Sequence, residues 1–392
     1  MYLKSLIIIM KEKLKIYDGK YMSNILKILA ISVILNIPVT ALSSPSISSV
    51  EGTVKDGSRI FITGNDFGAN GPNIFLFDDF SGGENGEVFP DKSAIIGTWD
   101  LKRGKVWTDN LLSKNQGSRH TGLDGGMQNR ILFGSVQEEI FISSIAYVPD
   151  GYRFPGAATE NALDSNPNIK HAWLFYTADG YSVDNDPDMW MPGVDTGGNW
   201  QTLMSNDTRS PRQGWRSGSA EQQWAWNEPV RWSFWFKGNG TTASGSREYH
   251  GAVSSSGHTF YENHNVAWFD TSDHAYGFDR MTIPGYLSRD SYPTYNYVID
   301  DVYVAVGPNA AARVEIGNNA KYTNCTKLAI MTPTSWSDNK IEAVVREGMI
   351  DTNDTLYLYV IDNNNVCSDG YPISISTQDD DLDPPQNLKV ID

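Results

Sequence analysis

After residue 44 the chain runs as short apolar stretches in which aromatic and β-branched residues alternate with polar ones. Clusters of Gly, Pro, Asn and Asp punctuate them every roughly 8–12 residues, the spacing of turns in sandwich proteins. In Val230–Phe236, Val230, Trp232, Phe234 and Phe236 share one face, while Arg231, Ser233 and Trp235 share the other. In Tyr297–Val306, Val298, Asp300, Val302 and Val304 oppose Ile299, Asp301, Tyr303 and Ala305. A period of two predicts strands with two distinct faces. Helix-period stretches are scarce, so the pattern predicts an all-β chain built of stacked sheets.

One segment breaks the pattern. Residues 25–42 are apolar and carry no charge after Lys27. The run is short for a membrane span, and Val39-Thr40-Ala41 offers small residues for cleavage, so it reads as a secretory signal peptide; an uncleaved anchor is the alternative. Met22–Lys27 would be its n-region and residues 1–21 an upstream extension. The expected location is therefore secreted or at a bacterial cell surface, with no membrane insertion after signal removal. The net charge of −16 argues against nucleic acid or an anionic membrane as partner. Only Cys325 and Cys367 occur. In an exported chain such a pair predicts one disulfide, closing a loop of about 43 residues worth roughly 3–4 kcal/mol in the chain-entropy model. Two unpaired buried thiols are the alternative.

Two distant stretches carry complementary halves of one further pattern. Pro45, Ile47 and Val50 open the first, followed by the turn Ile62–Gly68. Trp336, Asp338 and Ile341 mark a strand in the second, and Leu358–Ser368 a closing hairpin. Joined, they resemble an IPT/TIG immunoglobulin-like domain, although Asn363–Asn365 stands where that family usually has Gly. The resemblance implies an Ig-like (IPT/TIG) β-sandwich split into residues 44–77 and 312–376, with a large insert at 78–311. Residues 1–43 would be the extension and signal peptide. Residues 377–392 resemble a linker and the start of a fibronectin type III domain.

The insert opens at Asp79–Gly83, carries Gly117–Arg119 after its first loop and closes on Ile299–Tyr303. Those segments resemble the concanavalin-like and carbohydrate-binding jelly rolls. The resemblance implies a second β-sandwich and says more about fold than activity.

Three sets of residues could carry chemistry. Eight of the twelve tryptophans fall between Trp173 and Trp235. Trp173 and Trp232 read as core. Trp190, Trp200, Trp215, Trp224 and Trp226 lie in polar sequence that reads as loops, where exposed rings form platforms for sugars; packing of long loops is the alternative. Asp78 and Asp79 at the start of the insert and Asp300 and Asp301 at its end should meet if first and last strands are neighbours. Hard oxygen ligands of that kind suit a structural Ca²⁺; capping of strand ends is the alternative. The acidic run Asp184–Asp188 is a weaker calcium pattern. Jelly-roll polysaccharide lyases abstract a proton beside a uronate carboxyl with His or Tyr and neutralise that carboxyl with Arg, Gln or Asn. His120, His258, Tyr261, His264 and Arg119 are raw material for that, but the strand signatures of alginate lyases are absent. The paired carboxylates of sandwich glucanases are missing as well.

The sequence thus points to an exported protein that binds extracellular polysaccharide without catalysis. A lyase acting on a uronate-containing glycan by His/Tyr β-elimination is one alternative, and a structural adhesin or surface module is another.

Overall fold

A computed structural model describes residues 43–121, 128–147, 149, 169–175, 189–194, 199–204, 216–219, 228–239, 246–266, 277–287, 296–351 and 354–374. The signal-peptide segment and residues 377–392 lie outside them. Among the described residues the fold is all-β, and no helix is long and apolar enough to cross a membrane. Strands are numbered in chain order.

Two four-stranded sheets face each other. The first has the order β1 (Ser46–Gly52), β2 (Arg59–Asn65), β21 (Lys340–Val344), β20 (Thr332–Ser337). Its centre joins residues far apart in sequence, with Ile62 opposite Ile341 and Ile60 opposite Ala343. The second has the order β19 (Leu328–Ile330), β18 (Arg313–Gly317), β22 (Leu356–Ile361), β23 (Tyr371–Ile373). Ile60, Ile62 and Phe67 pack with Val314, Ile316, Ile341, Leu358 and Val360 in one apolar core. Alternation drives this assembly: β2 reads exposed–buried throughout, so its apolar side chains need a facing sheet to cover them. Trp336 closes the turn after β2 by donating its indole N–H to the carbonyls of Phe67 and Gly68, at 3.1 Å each. Gly64 is required there, because a Cβ would stand 1.9 Å from the carbonyl oxygen of Ser46.

The chain between these halves forms two larger sheets. An eight-stranded sheet runs β14 (Gly257–Val266), β13 (Ser246–Ser254), β12 (Val230–Lys237), β7 (Glu139–Tyr147), β17 (Tyr297–Val306), β5 (Gln116–His120), β4 (Lys105–Thr108). Here β3 (Asn73–Asp78) also pairs with β17. A seven-stranded sheet runs β11 (Arg216–Ser219), β10 (Asn199–Met204), β9 (Met189–Val194), β8 (Ile169–Phe175), β15 (Phe278–Ile283), β6 (Asn129–Gln137), with β16 (Tyr286–Leu287) on β8. Trp232, Phe234 and Phe236 of β12 meet Leu174, Met281 and Ile131 of the other sheet in the largest core.

The outer face of the eight-stranded sheet is also buried at its centre. Phe141, Trp235, Tyr249 and Tyr303 pack against Ala310, Ala311 and Ile330. The Arg313 guanidinium lies 4.5 Å from the Phe141 ring centroid and is held by Glu315 at 2.7 Å, so the smaller sandwich docks through a compensated buried charge. Both faces of β12 are thereby covered, which explains an amphipathic-looking strand that is buried along nearly all its length.

Candidate functional site

The aromatic-rich segment forms one margin of the seven-stranded sheet. Strand β8 pairs β9, β9 pairs β10, and β10 pairs β11, all antiparallel. The register sets Arg130, Thr282, Trp173 and Trp190 in one row across β6, β15, β8 and β9. The neighbouring row, Ile131, Met281 and Leu174, belongs to the core, so Arg130, Thr282 and Trp173 are on the sheet's other face. Trp200 takes the position opposite Val194. Trp190 and Trp200 are therefore strand positions rather than the loop positions their polar surroundings predict. Cross-strand pairing, invisible to local composition, overrides the Gly and Asn content nearby. Trp215, Trp224 and Trp226 lie outside the described residues, as does Asp184–Asp188. Trp173 and Trp232 are buried.

Of the histidines expected to serve a lyase, His120 is sealed in the interior. His120 has no exposed surface; its Nε2 lies 3.0 Å from Ser118 Oγ, beside Asn129. His171, also fully buried, is bridged between Tyr297 OH at 2.6 Å and Ser144 Oγ at 2.7 Å. Burial pushes its pKa down to about 3, so the ring is neutral near pH 7. His258 is half-buried against the smaller sandwich, 3.2 Å from the Tyr322 carbonyl oxygen and 3.4 Å from Tyr249 OH, with its pKa lowered by desolvation. Tyr261 and His264 are described only as backbone positions of the margin strand β14. Arg119 sits on the opposite face of β5 from Ser118 and His120, so the five residues do not converge.

The four aspartates do gather where the first and last strands of the insert pair, with Asp78 opposite Val302. At Asp300 and Asp301 strand β17 exchanges β5 for β3 as its partner, and Asp301 adopts a left-handed φ of 46°. The carboxylates are already engaged by the chain itself. Asp78 is held by Lys102 Nζ at 2.8 Å and accepts the Trp99 indole N–H at 2.6 Å. Asp300 accepts the backbone N–H groups of Ser113 and Asp301, each at 2.7 Å. Asp301 is paired with Arg231 at 2.8 Å, both side chains buried. Arg231 also donates to the Leu328 carbonyl at 2.8 Å and to Ser143 Oγ at 3.1 Å, tying the seam to the smaller sandwich. Burial pushes the Asp300 carboxyl well above the usual carboxylate range, and the neighbouring Asp301 adds to it. Lys102 and Arg231 thus already neutralise Asp78 and Asp301, Asp79 accepts the Ser81 N–H at 3.1 Å, and no metal-holding group of three or more His, Cys, Asp or Glu occurs among the described residues. Arg231 and Lys102 are what sequence reasoning missed. The alternation of β12 puts Arg231 on the outer face, but nothing local names its partner.

The expected disulfide is corrected by the structure. Cys325 and Cys367 are free thiols within one apolar cluster. The Cys325 thiol faces the carbonyls of Asn319 and Lys321 and the Tyr359 hydroxyl at 3.6 Å, whereas the Cys367 thiol is turned to its neighbour's carbonyl on Ser368. Burial and hydrogen bonding in place suffice for both side chains.

A cleft of about 400 Å³ opens between the two sandwiches, lined by Leu111, Leu112, Pro229, Val253, Met349 and Ile350 among others, without an aromatic ring. It lacks the stacking surface a sugar needs.

No family model matches the chain, so none stands behind the IPT/TIG or fibronectin type III resemblance, and no curated protein matches it. Solved structures similar to it include the marine PL-14 alginate lyase from Aplysia kurodai, at 9% identity and a TM-score of 0.37, covering 52% of this chain and 87% of that one. Arcelin-5, a lectin-like defence protein from Phaseolus vulgaris, is similar at 9% identity and a TM-score of 0.35, over 60% and 98% of the two chains. The catalytic domain of a glycoside hydrolase family 131 protein from Coprinopsis cinerea follows at 11% and 0.27, over 54% and 85%. Likenesses this distant decide neither activity nor ligand.

Proposed function

We propose that this is an exported protein that binds extracellular polysaccharide without turning it over. The observation that carries the reading is the tryptophan-bearing margin of the seven-stranded sheet. There Trp190 and Trp200 occupy the neighbouring strands β9 and β10, beyond the buried Trp173 of β8. Flat rings at a sheet margin offer apolar area to sugar faces, and polar neighbours fix the sugar's orientation. Binding without turnover is supported by the enclosure of His120 and His171, since a general base must reach the proton it removes. The uncharged run after Lys27 supports export.

Titration of the full chain against soluble glycans, with Trp190→Ala, Trp200→Ala and Trp215→Ala, tests the binding surface. Each variant should lose about 1–3 kcal/mol of binding, by analogy with buried aromatic anchors, while its unfolding midpoint stays near that of the parent. Variants that bind like the parent, or that all unfold, would show that these tryptophans serve packing.

A further inference from the structure

On the outer face of the eight-stranded sheet, at its β4 margin, two cations oppose each other. Lys105 of β4 is the direct cross-strand partner of Arg119 of β5. Like charges in that position destabilise a ladder. Among the described residues neither is placed in an ion pair, although the chain as a whole carries a net charge of −16. The Arg119 guanidinium lies 5.5 Å from the Trp107 ring centroid, on the same face. Two N–H groups here are buried and have no acceptor: Nε of Arg119 and Nε1 of Trp107. A buried donor left without an acceptor is costly, so the natural complement is an oxygen-rich anion. Asp109, two residues beyond Trp107 on the same strand margin, is committed to Tyr147 OH and the Leu111 N–H, both at 3.0 Å. All three side chains are partly accessible, and the floor beneath them is the apolar cluster of Leu112, Ile145, Tyr147 and Val298.

We propose that Lys105, Trp107 and Arg119 form a binding site for an anionic group carried on a sugar, a carboxylate or a sulfate ester. The sugar scaffold rests on the polysaccharide reading; the anion does not. Arg119 supplies charge and a donor, Trp107 a second donor and a stacking surface, and Lys105 a mobile point charge. The residue thus acts in recognition, on a face removed from the enclosed His120.

The test follows the Trp107 indole N–H by NMR in the full chain, assigned by its disappearance in Trp107→Phe, during titration with galacturonate, inorganic sulfate and uncharged galactose. The indole signal should move with galacturonate, sulfate or both, which separates the two anion sources, and stay still with galactose. In Arg119→Gln the apparent affinity should fall about tenfold or more, and Arg119→Lys should recover part of it. Unmoved signals of the other indoles report that each variant is folded. No movement with either anion, or the same movement in Arg119→Gln, would overturn the site. A protein that binds neutral glycans yet fails this test loses the anion site and keeps the polysaccharide reading.

Discussion

Arg231 supplies the positive charge at the point where the central strand of the insert changes partners. Its guanidinium joins Asp301, Ser143 and the backbone of Leu328, with both ionic side chains buried. Removing one member of such a pair strands the other without water or partner. Arg231→Met should therefore lower the unfolding free energy by about 3–5 kcal/mol, measured by denaturant titration, and neither calcium nor chelator should shift the melting temperature of parent or variant. A chelator-sensitive parent would return the seam to a metal site. His171 gives a second handle at this scale. Its folded pKa, about 3, lies below the ordinary value of 6.5, so the unfolded chain binds the extra proton. The stability it contributes is complete above pH 6.5 and is lost as pH falls toward 3, by up to about 1.4 kcal/mol per pH unit. His171→Gln should flatten the stability profile in that window; an unchanged slope would show that another group sets it. The proximity of the four aspartates was legible, because the first and last strands of the insert announce themselves by alternation. Their counter-charges were not, since Arg231 arrives from seventy residues away.

Among the elements, alternation carried most of the fold. Strand β12 follows the faces its sequence predicts, with Trp232 and Phe234 inward and Trp235 outward. Strand β17 does not keep its predicted faces, because the irregularity at Asp300 and Asp301 turns the strand over, so that Ile299 shares the core with Val302 and Val304 while Val298 lies on the other face. Where the pattern fails, pairing has overruled composition: β9 contains Pro192-Gly193 and β10 begins at Asn199, yet β9 is held in the ladder by β8 and β10 by β9. The link between β2 and β21 has a direct consequence. Ile62 is fully buried opposite Ile341, so Ile62→Ala should cost about 2–5 kcal/mol. Its effect should be read by hydrogen exchange as faster opening of the amides in β20 and β21 as well as β1 and β2. Exchange that accelerates only in residues 46–65 would mean that the two stretches do not unfold as one sheet.

At the scale of the whole molecule, the smaller sandwich covers the outer face of the eight-stranded sheet at its centre, leaving the β4 margin and the tryptophan-bearing margin of the other sheet as the surfaces considered for ligands. Composition signalled an aromatic-rich insert, but it could not say which rings pack and which positions share a row, because that depends on register between strands distant in sequence. The central claim is binding without turnover. It is tested most directly by incubating the full chain with a panel of uronate-containing and neutral polysaccharides. Retention of the protein on the polymer is measured in the same sample as the ultraviolet absorbance of unsaturated uronates. The account predicts retention on at least one polymer with flat absorbance throughout; absorbance that rises with time and protein concentration would contradict it.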